Sequence, residues 1–213
     1  MLKRLIFGVV TLLSCAAALA QPVQGKDYLT LSPPQAAGAP GKVNVVEFFW
    51  YRCPHCFNLE PSLRTWLKKL PADVQFRRMP AIFNNEWALD ARVFFALEAT
   101  GDLDRVHSGL FDAIHLQGGV RLKGDQYMKW VAQWLGRNGV DMAKYDAALR
   151  SFSVENNMKR ATRMTRDYKI DGVPAIGVQG LWLVNASMVG DRDTMIRVTE
   201  YLSGEARKRL SGK

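Results

Sequence analysis

Residues 43–50 form a nearly unbroken run of apolar, β-branched and aromatic side chains, Val43-Asn44-Val45-Val46-Glu47-Phe48-Phe49-Trp50. That pattern predicts a strand buried on both faces, with Glu47 set inside it. Over residues 57–70 the period changes: Leu59, Leu63, Trp66, Leu67 and Leu70 recur at helical spacing. Pro71-Ala72-Asp73 marks a turn, and Val74-Gln75-Phe76-Arg77-Arg78-Met79 alternates like a half-buried strand. Two strands joined by one helix of this length predict a right-handed βαβ unit.

Helical periodicity then dominates up to residue 168. Asn84 or Asn85 caps a helix carrying Trp87, Ala91, Phe94, Phe95 and Leu97 that stops at Gly101. A second covers 102–116, Gly118-Gly119 breaks the chain, and a third runs from Asp125 to Gly136. A fourth covers 141–152 and a fifth 154–168. Phe94, Phe95, Trp130 and Trp134 fall at core spacing. Strand patterning returns at residues 172–178 and 181–184, joined at Gln179-Gly180 as a hairpin. Asp191 or Asp193 caps a last helix over 194–202, and Tyr28-Leu29-Thr30-Leu31 reads as a short edge strand. The fold class is α/β, divided into an α/β unit of residues 21–83 plus 169–213 and an inserted helical subdomain of residues 84–168.

Composition changes this picture mainly at the start of the chain. Lys3 and Arg4, a short apolar stretch, and Ala18-Leu19-Ala20 before Gln21 form a secretory signal over residues 1–20. The apolar stretch is too short to span a bilayer as a helix. Leu12-Leu13-Ser14-Cys15 loosely resembles a lipidation site, but the Ala-x-Ala cleavage site fits better. Without the leader, 27 basic residues face 20 acidic ones. They are dispersed apart from Arg207-Lys208-Arg209, and no basic stripe interleaved with aromatics marks a nucleic-acid groove. Beyond the leader, Cys53 and Cys56 are the only cysteines. A bridge between them would close two residues, which constrains the unfolded chain very little. A zinc site needs further ligands at metal spacing; His107 and His115 stand eight apart with no cysteine near them, and read as surface or helix-packing residues.

The chemistry therefore concentrates where the first strand delivers Cys53-Pro54-His55-Cys56 to a helix. Cys53 falls at the helix entrance, where unpaired backbone N–H groups and the positive end of the helix dipole favour a thiolate. Pro54 suits the first helical position, since its missing N–H costs nothing there. His55 adds a donor or partial positive charge. Cys56 is placed to meet Cys53 across one turn, more buried. Cys53 is thus the expected nucleophile and Cys56 the resolving thiol. A dithiol whose reduced form is stabilised holds its disulfide badly and passes it on. Arg52 is expected to add positive potential at Cys53.

Cys53-Pro54-His55-Cys56 after Glu47-Phe48-Phe49, with Gly172-Val173-Pro174-Ala175 some 120 residues on, resembles the DsbA family over nearly all of the chain beyond the leader. The resemblance implies a thioredoxin fold with an inserted α-helical subdomain, and a thiol:disulfide oxidase of the bacterial periplasm. It makes Cys53 the nucleophile and Cys56 its buried partner, tuned by Pro54 and His55. It makes Val173-Pro174 the cis-proline loop that offers backbone to a bound peptide, although X-Pro bonds in general are overwhelmingly trans. Glu47 matches a charged residue beneath the disulfide that relays protons, and Glu60 a second acidic position.

Implied partners are unfolded exported proteins with cysteine thiols and, for reoxidation, a DsbB-type quinone-linked membrane oxidase. No cofactor, metal or nucleic acid is implied, and a monomer is the simpler expectation. The alternatives are a reductase or isomerase of the same fold, or a non-catalytic peptide-binding chaperone with a structural disulfide. The segment after Val184 matches nothing in the family pattern, which leaves the shape of the substrate groove open.

Overall fold

The computed structural model describes residues 21–212. The expected leader and Cys15 lie outside them. Strand β1 (Leu29–Thr30) precedes β2 (Val43–Phe49), helix α1 (Pro54–Leu67) and β3 (Val74–Pro80). Helices α2 (Asn85–Thr100), α3 (Leu103–Leu116), α4 (Gly124–Arg137), α5 (Met142–Leu149) and α6 (Phe152–Asp167) follow, with one 3₁₀ turn at Gly119–Arg121. The chain then returns to β4 (Ala175–Val178), β5 (Trp182–Asn185), α7 (Ala186–Val189) and α8 (Arg192–Leu210). The sheet order is β1-β5-β4-β2-β3, with β2 and β3 parallel and the other pairs antiparallel.

Period-two alternation separates the two faces of this sheet. Val43 and Val45 of β2, Ile176 and Val178 of β4, and Trp182 and Val184 of β5 pack with Leu59 and Leu63 of α1 and Val198 and Leu202 of α8. Val46 and Phe48, Ala175 and Leu183 point the other way, into the cluster built by Phe94, Phe111, Tyr127 and other side chains of the inserted helices. Glu47 shares its pleat with Val43 and Val45, which sends it under α1. Its register partner on β3 is Arg78.

Local signals fix most boundaries. Asn84 accepts hydrogen bonds from the N–H groups of Glu86 and Trp87, and Gly101 ends α2 in the left-handed region. Asp141 and Ser151 cap α5 and α6 in the same way. Gln179 and Gly180 both have positive φ and, with Leu181, form the three-residue loop between Val178 and its register partner Trp182 in the β4–β5 hairpin. Three details differ from the sequence pattern. Helix α1 starts at Pro54 and ends at Leu67, not residue 70. A short helix, α7, follows β5 with no periodic signal. Helix α8 continues to Leu210 through Gly204, because Ser203 and Ala206 remain buried and the Ser203 hydroxyl donates to the Thr199 carbonyl.

Arg52 corrects an expectation. It does not face the dithiol. Its guanidinium is buried and donates from Nε to Asp90 (2.8 Å) and from Nη1 to Glu86 (2.9 Å), and it bonds the carbonyls of Glu86 and Leu122. The guanidinium carbon lies 4.4 Å from the Tyr127 ring centre. Asp90 also accepts from Trp50 Nε1 (2.6 Å) and from the Tyr127 hydroxyl. The positive charge is consumed by two residues of α2, and it ties the loop entering α1 to the inserted helices.

Asp90→Leu should therefore destabilise the protein by about 3 kcal/mol in urea unfolding, the lower end for breaking a buried pair, since Glu86 and two carbonyls still hold the guanidinium. Combining it with Arg52→Leu should recover much of that loss. A single variant of wild-type stability would show that the pair does not fasten the loop.

Candidate active site

The junction between β2 and α1 is held by its own backbone. Cys53 is the N-cap residue of α1, its N–H donates to the Trp50 carbonyl (3.0 Å), and Pro54 takes the first helical position. Both sulfurs are free thiols. Cys53 is 6% exposed and Cys56 0%, while Pro54 and His55 are exposed beside them. One sulfur thus has an edge towards solvent and the other has none.

Their surroundings drive the two thiols apart. Cys53 is brought down from an ordinary 9.0 to about 6. The hydrogen bond from the Cys56 thiol does most of this; burial opposes it, and the N–H groups of Cys56 and His55 and the charge of His55 add to it. Cys56 moves well upward, first because burial disfavours its anion, then because it donates to Cys53 and feels the anionic form of Glu47. Arg52 is not among the main causes of the Cys53 shift.

Beneath Cys56 lies a buried charged cluster. Glu47, 1% exposed, meets Nε of Arg78 at 3.2 Å. Burial pushes its carboxyl up to about 8, against the attraction of Arg78. Glu60, one turn past Cys56 on α1, accepts from Arg78 Nη2 at 3.0 and 3.3 Å. His107 of α3 stands 3.5 Å from Glu60 through Nε2 and 2.8 Å from the Tyr51 hydroxyl through Nδ1. The sequence reading placed Glu47 beneath the disulfide and matched Glu60 to a second acidic position, but did not bring the two together on one guanidinium, and it missed the burial of His107 beside them.

On the other side of Cys53, the Val173–Pro174 peptide is cis and the Val173 carbonyl lies 3.4 Å from the Cys53 sulfur. A groove of about 580 Å³ opens from this point, with His55, Asn58, Val173, Pro174, Asn185 and Arg192 in its wall. Its far side is α7 and the start of α8, the segment the sequence reading left unmatched. Aromatic pairs flank the dithiol in the chain: Trp50 stacks on Trp87 (4.2 Å, 9°) and Phe57 on His115 (4.5 Å, 11°), whose Nε2 lies 2.8 Å from the Tyr51 carbonyl. Among the described residues, no group of three or more His, Cys, Asp or Glu side chains is arranged to hold a metal ion.

Such a sheet, with a Cys-x-x-Cys pair opening a helix opposite a cis-proline loop, defines a thioredoxin-fold dithiol protein carrying a helical insertion. Residues 73–202 match the DSBA-like thioredoxin domain. The chain is 38% identical over 183 residues to the thiol:disulfide interchange protein DsbA of Azotobacter vinelandii, covering 86% of this chain and 84% of that protein. It is 35% identical over 207 residues to the protein of the same name from Burkholderia cepacia, covering 94% and 96%. The crystal structure of Pseudomonas aeruginosa DsbA superposes with a TM-score of 0.82 at 33% identity, covering 89% of this chain and 97% of that one. The chain belongs to the DsbA family.

The separation of the two thiols has a measurable consequence. A folded pKa below the unfolded one adds stability as pH rises: for Cys53 none below about 6 and growing to about 9, above which the raised Cys56 takes stability away again. The free-energy difference between unfolding the reduced and the oxidised protein should climb by about 1.4 kcal/mol per pH unit inside that window. A difference that stays flat would mean that the folded thiol ionises like an unfolded one.

Proposed function

We propose that this protein is a thiol:disulfide oxidase that donates its Cys53–Cys56 disulfide to unfolded exported proteins in the periplasm. The observation that carries this reading is the opposed ionisation of the two sulfurs. A substrate thiolate attacks Cys53 Sγ, the bond to Cys56 breaks, and Cys56 leaves as a thiolate that takes up a proton. A second substrate thiolate then attacks the substrate sulfur of the mixed disulfide, and Cys53 leaves as a stable anion. Two electrons pass from two substrate thiols to the enzyme dithiol.

At neutral pH a thiol held at about 6 favours the reduced protein by about 1.4 kcal/mol over an ordinary thiol, roughly tenfold in the exchange equilibrium. That bias supports donation over reduction. His55 and Pro54 serve the same end, as exposed neighbours that keep donors and the helix start at Cys53. The Val173-Pro174 loop pairs with the backbone of an extended substrate whose side chains enter the adjoining groove. Glu47, with Glu60 behind it, supplies the proton that the departing Cys56 needs. Residues 1–20 direct export, and the α/β unit (21–83 plus 169–213) carries the dithiol under the helical subdomain of 84–168. A DsbB-type quinone-linked membrane oxidase restores the disulfide; no bound cofactor enters the exchange itself, and the protein acts as a monomer.

The oxidised mature protein should oxidise a reduced, unfolded multi-cysteine substrate stoichiometrically. Cys53→Ser should abolish this, and Cys56→Ser should accumulate Cys53 mixed disulfides. In the reduced protein, Cys53 alone should be alkylated rapidly at acidic pH. Transfer surviving in Cys53→Ser, or both thiols reacting alike, would sink the assignment.

A further inference from the structure

His107 is a buried histidine that the exchange chemistry does not obviously need. It is 4% exposed, on α3, with Phe49, Phe94 and Phe111 set around its ring at centroid distances of 5.3–6.2 Å. Its two nitrogens meet groups from two other elements, Tyr51 in the loop before α1 and Glu60 on α1. Arg78 of β3 faces the same cluster, and Asp104 acts on the ring from its own helix. Glu47 in turn faces Arg78, Glu60 and Cys56.

The partners fix the tautomer. Nε2 faces a carboxylate that only accepts, which favours the proton there, and Nδ1 then accepts from the Tyr51 hydroxyl. The apolar box and the Arg78 charge keep the imidazole neutral; burial is the main reason that its proton affinity is low.

Charge then has to be counted. Two carboxyl groups share one guanidinium, and the imidazole adds none. Ionising both would leave a surplus negative charge in the interior, which is costly, so the cluster keeps one proton. Its seat is decided by donors. Glu60 has Arg78 Nη2 on both oxygens, with His107 Nε2 3.5 Å from one of them and off the line of a good hydrogen bond. Glu47 has Arg78 Nε alone, at 3.2 Å and poorly aligned. The better-solvated carboxylate stays charged: burial pushes Glu60 up, but the nearby His107 ring and Arg78 outweigh it and hold the carboxyl below the ordinary carboxylate range.

We propose that His107 is a positioning residue for the dithiol: by turning Nε2–H towards Glu60 across 3.5 Å it favours the shared buried proton on Glu47, beneath Cys56, over Glu60. When Cys56 leaves as a thiolate the proton passes from the Glu47 carboxyl to the sulfur, and Glu47 becomes a carboxylate paired with Arg78. When Cys56 gives up its proton during reoxidation, Glu47 takes one back. Only this use of the proton rests on the function proposed above.

The test is a ¹³C-carboxyl NMR titration of Glu47 and Glu60 in the reduced mature protein, with His107→Phe and His107→Gln beside wild type. The phenyl ring keeps the packing and loses the donor; the amide keeps a donor. In His107→Phe the Glu47 midpoint should fall and that of Glu60 rise, each by about one pH unit, a tenfold change in proton affinity. His107→Gln should keep the wild-type order. A folded His107→Phe with unmoved midpoints overturns the inference, as does a Gln variant that shifts just as far. Should the phenyl variant not fold, His107→Leu is read by the same criterion. The titration needs no substrate, so a wild-type protein that failed to donate disulfides would sink the function and leave this result standing.

Discussion

The constraint on which the rest of the structure depends is the unequal treatment of two sulfurs one helical turn apart. A thiolate at Cys53 survives because the helix start offers it N–H groups and because Cys56 gives it a hydrogen bond. Cys56 can give that bond only while it stays protonated, and burial keeps it so. The two shifts are therefore one interaction seen from both ends. Exposing Cys56 would weaken its donation, and moving Cys53 inward would penalise the anion it stabilises.

Most of the fold can be understood as holding this asymmetry in place. The strand β2 brings the pair to the sheet edge of α1, and its own pleat sends Glu47 beneath Cys56. Arg52 anchors the preceding loop to α2 through Asp90 and Glu86, so the loop is fixed by charge on one side and by aromatic packing on the other. The inserted helices do more than cover the sheet. They contribute Asp90, His107 and Tyr127, polar side chains buried against residues that flank or underlie the dithiol. In a low-dielectric interior, such groups are costly wherever a partner is missing.

The groove opens from the side of Cys53 that lies against the Val173–Pro174 loop, while the charged cluster sits on the Cys56 side. In the proposed exchange, a peptide therefore enters beside the sulfur that is attacked, and the proton for the departing sulfur comes from the other side.

The sequence by itself determined the local chemistry: a buried strand, a dithiol at a helix entrance, Pro54 at its first turn, capped helices and a hairpin, each set by side chains within a few residues of one another. It also placed Glu47 inside an apolar run, which is enough to mark it as buried. Only the tertiary structure decided where the charges went. Arg52 lies next to Cys53 in the chain, yet Asp90, 38 positions away, takes its guanidinium. His107 carries no motif, and its meaning comes from Glu60 and Tyr51, which the packing of α3 on α1 brings to it. The groove wall after Val184 was equally silent, since α7 is too short to show a period. The physical reason is the same throughout: a cap or a turn is worth what its neighbours in sequence make it, whereas a charge is worth what burial and distant partners make it.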